Sequence, residues 1–252
     1  MTFCLGISLE EGLVGISDTR ILSGNECTTA RKMSVYQNEH YAMFLMISGL
    51  RSLSDKVRTY FDELVTENTA PYDRLFKAVN AFATQIRRVA HEDKEFLEKS
   101  GLPFDIHCLV GGQCKNDPRP ALYLVYPEGN WIEIREGTPY HIIGSSGYGK
   151  PILDRTLKHQ DSMKFALKVG FLAFDSTRIS ARDVDLPIDV ALYARDSYRI
   201  VQHRYEKEDL LDLSVCWQER LRGAVDNLSI EWIEPLFSKL PRPDGEDSPR
   251  LD

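Results

Sequence analysis

The order of predicted strands and helices is the feature that most constrains how this chain can fold. Alternating apolar residues over 2–9 and 13–18 flank Glu10-Glu11-Gly12, which is typical of a hairpin turn, and predict two paired strands. The first of them is expected to be half-buried, because its apolar and polar residues alternate. Two more strands are predicted over 31–37 and 41–48. The chain therefore begins as a β-structure.

Two helices are predicted after these strands. Each has a single stripe of apolar residues at helical spacing, which is typical of a helix that covers one face of another element. The stripes consist of Leu50, Leu53, Val57, Tyr60, Phe61 and Leu64 in the first helix, and of Phe76, Val79, Phe82, Ile86 and Val89 in the second.

The rest of the chain repeats this arrangement. The remaining predicted elements are strands over 104–111, 120–127, 131–135 and 139–143, helices over 149–157 and 161–174, strands over 188–194 and 198–205, and a helix over 208–224. Because βαβα alternation is missing from this order, a parallel doubly wound sheet is disfavoured. The order favours an α+β fold in which two antiparallel sheets pack face to face, with a helix pair on each outer side. We expect one domain over 1–240 and a disordered, proline-rich tail over 241–252.

Composition and charge argue against several classes of protein. A net charge of −7 disfavours nucleic acid as the main partner, since phosphate contacts need a basic face. No apolar run approaches the roughly 20 residues of a membrane span, and Glu10 and Glu11 interrupt the first apolar stretch, so neither a membrane anchor nor a secretory signal is expected. Five cysteines without a C-x-x-C pair indicate reduced thiols and a cytoplasmic location. His107-Cys108 with Cys114 nearby fits no standard zinc spacing, and we expect neither a metal nor a cofactor.

Thr2 is the first candidate catalytic residue. If Met1 is removed, Thr2 carries a nucleophilic hydroxyl together with its own α-amine as the base. Such an amine titrates near ~8 and accepts protons at neutral pH. The first hairpin is expected to pair Cys4 with Asp18 and Thr2 with Arg20, with a slip of one residue open. Asp18 then becomes a diagonal neighbour of Thr2.

Lys32 is the candidate cation for Asp18, because it stands at the start of the predicted strand 31–37. An ammonium between Asp18 and the Thr2 hydroxyl would lower the pKa of that hydroxyl and stabilise negative charge on it. The alternative interpretation is a surface salt bridge, with Arg20 or Arg31 as the partner of Asp18.

Two glycine-containing turns are further candidates. Ser48-Gly49 ends the fourth predicted strand, and Gly49 would let a substrate carbonyl approach backbone amides there, although a helix-entry turn explains it equally well. The stretch Gly144-Ser145-Ser146-Gly147-Tyr148-Gly149-Lys150 matches the G-x-x-x-x-G-K pattern of a phosphate loop. Pro151, however, stands where such a loop has Ser or Thr, so nucleotide binding is the weaker interpretation. The serines are instead candidates to hydrogen-bond an α-amine or a catalytic water.

Taken together, these residues make the chain resemble a proteasome-type N-terminal threonine hydrolase. Within that family it resembles the bacterial Anbu (ancestral β-subunit) group. The stretches that carry the resemblance are Met1-Thr2, Ile16-Ser17-Asp18-Thr19-Arg20, Arg31-Lys32-Met33, Tyr148-Gly149-Lys150-Pro151-Ile152-Leu153-Asp154-Arg155, Phe174-Asp175-Ser176-Thr177 and Leu186-Pro187-Ile188-Asp189. The resemblance implies the Ntn-hydrolase αββα sandwich and an assembly of many subunits into a ring or spiral.

The resemblance also implies roles for individual residues. These roles are Thr2 as nucleophile with its amine as base, Asp18 and Lys32 as the activating pair, Gly49 as an oxyanion donor and Ser145 as the hydroxyl near the terminal amine. Proteasome β-subunits also carry an Asp-x-x-Ser pair just before a late strand. Asp175 and Ser180 are its candidate counterparts here, at a different spacing.

The preferred functional hypothesis is a threonine-type peptidase or amidohydrolase that works through an acyl-threonine ester. Its expected partners are a peptide or small-amide substrate and further copies of the chain, which would form a self-compartmentalised homo-oligomer. Two alternatives stay open. One is a catalytically silent scaffold or binding shell, and the other is a hydrolase of small amides rather than of proteins.

Overall fold

Twelve strands and six helices form the computed structural model, which describes residues 2–23, 26–67 and 72–240. The strands are β1 (Phe3–Leu9), β2 (Gly12–Asp18), β3 (Arg20–Ser23), β4 (Glu26–Thr29), β5 (Met33–Gln37), β6 (Tyr41–Gly49), β7 (Ile106–Cys114), β8 (Ala121–Val125), β9 (Trp131–Glu133), β10 (Tyr140–Gly144), β11 (Ile188–Ala194) and β12 (Ile200–Tyr205). The helices are α1 (Arg51–Glu67), α2 (Leu75–Lys99), α3 (Lys150–Thr156), α4 (Met163–Ser180), α5 (Lys207–Asp226) and α6 (Glu234–Phe237).

Ten of these strands form two five-stranded antiparallel sheets. The first sheet has the order β10-β1-β2-β11-β12, and the second has the order β5-β6-β7-β8-β9. The sheets face each other, since β1 contacts β6 and β8. Helices α1 and α2 pack on the second sheet, while α4 packs on the first and carries α3. The expected α+β sandwich of two antiparallel sheets between helix pairs is confirmed.

Two apolar layers hold the second sheet in place. The layer between the sheets contains buried Phe44, Leu109 and Tyr193. The layer between the second sheet and its helices contains Phe61 and Phe82, whose ring centroids lie 5.2 Å apart in an edge-to-face contact. Each large apolar side chain that is fully buried contributes about 1.5–3 kcal/mol to folding, so these layers fix the strand ends that carry the polar residues described below.

The first strand is buried on both faces, rather than half-buried as its alternation predicted, and the second strand is buried in the same way. Every residue of β1 and β2 is buried, because the second sheet covers one face and α4 covers the other. The ring of Phe3 packs edge-on against Phe174 of α4, with centroids 5.9 Å apart. A Cβ on Gly170 of α4 would lie 2.5 Å from a methyl group of Ile16. Glycine at this position therefore lets the helix approach the sheet closely.

The first hairpin is one residue tighter than predicted. Leu9 pairs with Gly12, which leaves a two-residue turn, and Cys4 faces Ser17 rather than Asp18. Gly12 has a φ of +149°, a conformation that favours glycine and starts the second strand immediately after the turn. The slip of one residue moves Asp18 closer to the beginning of β1.

Three of the described elements have no counterpart in the sequence prediction. They are β3 and β4, which form a hairpin, and the short helix α6. All four residues of β4 are exposed, so this strand has no apolar alternation by which it could be recognised.

Contacts group the chain into one compact unit that ends at Leu211 and a second that begins at Asp212. Helix α5 contains this boundary. The single domain over 1–240 stays a prediction, and the expected disordered tail over 241–252 lies outside the described residues. Among the described residues, no helix combines the length and the apolar character needed to span a membrane.

Candidate active site

Thr2 lies directly before β1, at the end of an interior strand of the first sheet. Thr2 is 6% exposed, and its carbonyl accepts a hydrogen bond of 2.7 Å from the amide of Ser145. Gly144, which pairs with Phe3, has a φ of +89°. A Cβ at this glycine would lie 1.9 Å from the carbonyl oxygen of Thr2. The end of β10 can therefore pass this close to Thr2 only because residue 144 is glycine.

Asp18 ends β2 and forms a buried ion pair with Lys32. Its carboxylate Oδ1 accepts hydrogen bonds from the Phe3 amide at 2.9 Å and from the Lys32 ammonium at 2.7 Å. Lys32 comes directly before β5, where its carbonyl accepts a hydrogen bond from the Ile47 amide of β6 at 3.1 Å. The pair thus bridges the two sheets. Arg20, the alternative partner, instead binds Asp185 at 2.6 Å.

Burial dominates the electrostatics of this pair. The Asp18 side chain is 0% exposed, and its burial raises the pKa of the carboxyl group to about 6. The charge of Lys32 and the backbone amides of Phe3 and Arg20 act to lower that pKa. The carboxyl oxygen Oδ2 is also buried and has no hydrogen-bond partner among the described residues. Because a buried carboxylate is costly unless it is paired, Asp18 needs the ammonium of Lys32 beside it.

Thr2 and Lys32 line one cavity of about 230 Å³, and Gly49 also lines it. We refer to it as the arginine cavity, since it is also lined by Arg20, Arg31, Arg51 and Arg58. A second cavity of about 560 Å³ is lined by Gly49, by Gly144 and by two histidines, His107 and His141. The two cavities therefore meet at Gly49.

Gly49 occupies the end of β6 in a conformation that other residues rarely adopt. Its φ is +137°, and a Cβ there would lie 2.2 Å from the carbonyl oxygen of Asp105. The expected turn at Ser48-Gly49 is thus found where β6 ends and α1 begins two residues later. The backbone at Gly49 lies on the wall of both cavities.

The other candidates lie at different distances from this centre. Ser145 is buried and adjoins Thr2 through its backbone amide. Asp175 is buried on α4, follows Phe174 and is ion-paired with Arg178 at 2.7 Å. Ser180 is exposed at the last position of α4. Neither Asp175 nor Ser180 is among the described residues that line the arginine cavity.

Asp175 and Ser180 both belong to helix α4, so neither residue stands directly before a strand. The helix extends to Ser180 instead of ending near 174, because Phe174 and Thr177 continue its buried face. The segment between α4 and β11 instead contains Asp183, which the sequence analysis did not select. Burial acts to raise the pKa of Asp183, but hydrogen bonding and the charge of Lys32 leave it below its ordinary value. Asp183 thus interacts electrostatically with Lys32, and the only signal in the sequence was its charge.

In the stretch with the phosphate-loop pattern, the side chain of Lys150 does not bind the glycine-containing turn before it. The Lys150 ammonium binds Asp154 of the same helix at 2.9 Å and the hydroxyl of Tyr140 at 3.1 Å. The turn contacts Thr2 through the backbone amide of Ser145, while the hydrogen bond expected from a serine hydroxyl to an α-amine or a catalytic water stays a prediction. Among the described residues, no group of His, Cys, Asp and Glu side chains is arranged to hold a metal ion.

Neither a protein-family model nor a curated protein sequence matches the chain. Solved structures match it over nearly its whole length. An Anbu mutant from Hyphomicrobium sp. strain MC1 is 29% identical with a TM-score of 0.83, and the match covers 91% of this chain and 98% of that one. Anbu (ancestral β-subunit) from Yersinia bercovieri is 27% identical, with 90% and 98% covered and a TM-score of 0.83.

The third neighbour is the Anbu complex from Pseudomonas aeruginosa, described as a helical assembly. It is 28% identical with a TM-score of 0.84, and the match covers 90% of this chain and 97% of that one. The chain is therefore similar to Anbu proteins over about nine-tenths of its length. The resemblance predicted from the sequence is confirmed, and with it the proteasome-type sandwich fold.

Proposed function

We propose that this Anbu-like chain is an N-terminal-threonine hydrolase of peptide or other amide bonds. One observation carries the proposal. The buried Asp18–Lys32 ion pair and Thr2 belong to a single centre, since Lys32 and Thr2 line the same cavity and Asp18 binds both Lys32 and the residue after Thr2. A buried ion pair beside a cavity that also contains a hydroxyl is a suitable environment for a nucleophile.

The mechanism begins with removal of Met1, which makes the α-amine of Thr2 free. That amine takes the proton from Oγ1, and Oγ1 attacks the carbonyl carbon of the scissile amide. The amine then returns the proton to the leaving nitrogen as the C–N bond breaks, which leaves an acyl ester on Thr2. A water molecule gives a proton to the amine and attacks the ester, which releases the acid and restores the hydroxyl.

Lys32 and Asp18 act on the nucleophile through charge. The ammonium of Lys32 favours the deprotonated form of the Thr2 hydroxyl, and Asp18 keeps Lys32 charged and oriented. The backbone amide of Gly49 is the proposed donor to the oxyanion of the tetrahedral intermediate, because Gly49 forms the wall shared by both cavities. Ser145 is proposed to position the terminal amine, and Asp175 and Ser180 are proposed as more distant supports.

The protein is further proposed to act as a cytoplasmic homo-oligomer. The support comes from the neighbour from Pseudomonas aeruginosa, whose Anbu complex is described as a helical assembly. A spiral or ring of this chain would confine a peptide substrate near Thr2 of each subunit. A ring or spiral would also accommodate a small amide as the substrate. A panel of peptides and small amides distinguishes the two kinds of substrate.

The test is covalent labelling of the purified wild-type protein with an electrophile that reacts with N-terminal threonine. We expect a mass increase on the peptide that begins with Thr2, together with hydrolysis of at least one member of a panel of peptides and small amides. Thr2→Ala should abolish both the label and the hydrolysis, and Thr2→Ser should retain the label. Full retention of Met1 in the native cell, or activity that survives Thr2→Ala, would contradict the proposal.

A further inference from the structure

The arginine cavity has an excess of positive charge. Its charged lining consists of the basic residues Arg20, Arg31, Lys32, Arg51 and Arg58 and the single acidic residue Asp55. Three of the basic groups are neutralised by ion pairs. These pairs are Lys32 with Asp18 at 2.7 Å, Arg20 with Asp185 at 2.6 Å and Arg51 with Asp55 at 3.3 Å. Among the described residues, neither Arg31 nor Arg58 has an ion pair with a carboxylate.

Arg58 is the more buried of these two cations. Its Nε atom is buried and lacks a hydrogen-bond partner within the described part of the chain, and a buried donor without a partner costs free energy. Arg58 belongs to α1, which packs on the second sheet. Burial raises the pKa of Cys108, and the charge of Arg58 acts to lower it. Cys108 pairs across the sheet with Ile47, which lines the cavity.

The start of α1 adds charge of the same sign. The helix begins at Arg51, and its first turn, all of it described, has no acidic residue. Gly49, Leu50 and Arg51 line the cavity at this point. Because the N-terminus of a helix carries a partial positive charge of roughly half an elementary charge, it reinforces the field of the two unpaired arginines.

The size of the cavity fits one side chain. Its volume of about 230 Å³ is below the ~300–1,000 Å³ of pockets that enclose whole drug-sized ligands. Thr2 and Gly49 form part of its wall, so a group bound in it would be attached close to the bond that Thr2 attacks. A small cavity with unpaired arginines favours a compact anionic group.

We propose that the arginine cavity binds an acidic side chain, glutamate or aspartate, on the residue whose carbonyl group is attacked by Thr2. This inference rests on the proposed function and adds the substrate class to it. Arg58 and Arg31 are the specificity-determining residues. They provide the charge-assisted hydrogen bonds that a neutral side chain of the same shape cannot match.

The first experiment measures binding without turnover. The full-length Thr2→Ala protein is titrated with N-acetylated tripeptide amides that differ only in a final Glu, Gln or Leu. We expect the Glu peptide to bind at least about tenfold more tightly than the Gln peptide, since hydrogen bonds to charged groups are the stronger kind. Equal affinities, or tighter binding of Gln or Leu, overturn the inference. Hydrolysis of the matching substrates by the wild type is measured separately, so selective binding without hydrolysis contradicts only the proposed function.

The second experiment assigns the preference to Arg58. Arg58→Gln should reduce the ratio of the affinities for the Glu and Gln peptides by about tenfold. Arg58→Glu should make the protein bind a peptide with a final Lys more tightly than the Glu peptide. Arg155→Gln is the matched control, because Arg155 is an exposed arginine of α3 that does not line the cavity. Arg31→Gln, at an exposed position, tests the same idea if the Arg58 variants do not fold. A preference that survives the change in both arginines overturns the inference.

Discussion

A carboxylate and an ammonium that share a buried site depend on each other's charge. Asp18 has a pKa raised to about 6 by burial, against the lowering effects of Lys32 and of two backbone amides. Protonation of Asp18 would leave Lys32 buried without its counter-charge, and Lys32 would no longer be held against the nucleophile. We therefore expect Thr2-dependent hydrolysis to fall as the pH is lowered through about 6.

A pH profile of kcat/KM checks this expectation. The α-amine of Thr2 titrates near ~8 in a model peptide, so the two transitions can be resolved. The control is Asp18→Asn, which should be weakly active at every pH and should lack the acid transition. A wild-type profile that stays level through the Asp18 transition would contradict the assigned role.

The same carboxyl group gives a stability prediction with a definite sign. Its pKa is raised from 3.8 to about 6 on folding, so in this interval the folded protein binds more protons than the unfolded chain does. The contribution of Asp18 to the free energy of unfolding therefore decreases as the pH rises across the interval. Urea unfolding at several pH values should show this slope in the wild type and its loss in Asp18→Asn.

Lys32 can be tested by a double-variant cycle. Lys32→Gln removes the counter-charge of Asp18 and should cost about 1–2 kcal/mol of stability at pH 7, because the carboxyl group, with its pKa already about 6, can take up a proton instead of staying charged. It should also reduce kcat/KM by about 10²–10³-fold through lost electrostatic stabilisation. Asp18→Asn combined with Lys32→Gln should regain most of the stability, measured by urea unfolding, but none of the activity. An active double variant would show that the pair serves folding alone.

At the scale of elements, the position of Thr2 depends on its close contact with the end of β10. A methyl group at Gly144 would lie 1.9 Å from the Thr2 carbonyl oxygen, whereas one at Gly147 in the following turn would meet nothing within 4 Å. Gly144→Ala should therefore displace Thr2 and strongly slow its labelling by the electrophile. Gly147→Ala, the matched control, should be labelled at the wild-type rate. Equal rates for both variants would mean that this contact does not position Thr2.

Most elements could be predicted because their apolar spacing reflects a buried face. Helices α1 to α5 and the two antiparallel sheets follow from such spacing, and so does the hairpin that brings Asp18 to Thr2. The hairpin register could not be fixed to one residue, since it depends on the φ of Gly12. The exposed strand β4 lacks an apolar pattern altogether.

The candidate site was predictable to a similar extent. Thr2, Asp18 and Lys32 could be selected because nucleophile, carboxylate and ammonium make chemical sense together. Asp183 and the partner of Arg20, Asp185, could not, because only the folded chain brings the segment before β11 to β2 and Lys32. That Arg58 has no carboxylate partner within the described ranges depends in the same way on long-range packing.

At the scale of the whole molecule, the second unit presents apolar surface that its own residues leave open. Trp232 is 77% exposed, and Val225 and Leu236 are each 67% exposed. Exposed apolar side chains that form one contiguous patch mark interaction surfaces. Because the protein is proposed to act as a homo-oligomer, we expect this surface to take part in contacts between its copies.

Trp232→Glu tests the expectation, because it puts a charge where a large apolar ring would be buried between subunits. In analytical ultracentrifugation, the wild type should sediment as a large assembly and the variant as a smaller particle. Phe96→Glu changes an aromatic side chain of the first unit that is also exposed, at 68%, and should leave the assembly intact. A monomeric wild type would remove the basis for a confined chamber. A Trp232→Glu protein that assembles normally would instead move the contact to another surface, since a glutamate is not tolerated in a tightly packed apolar interface.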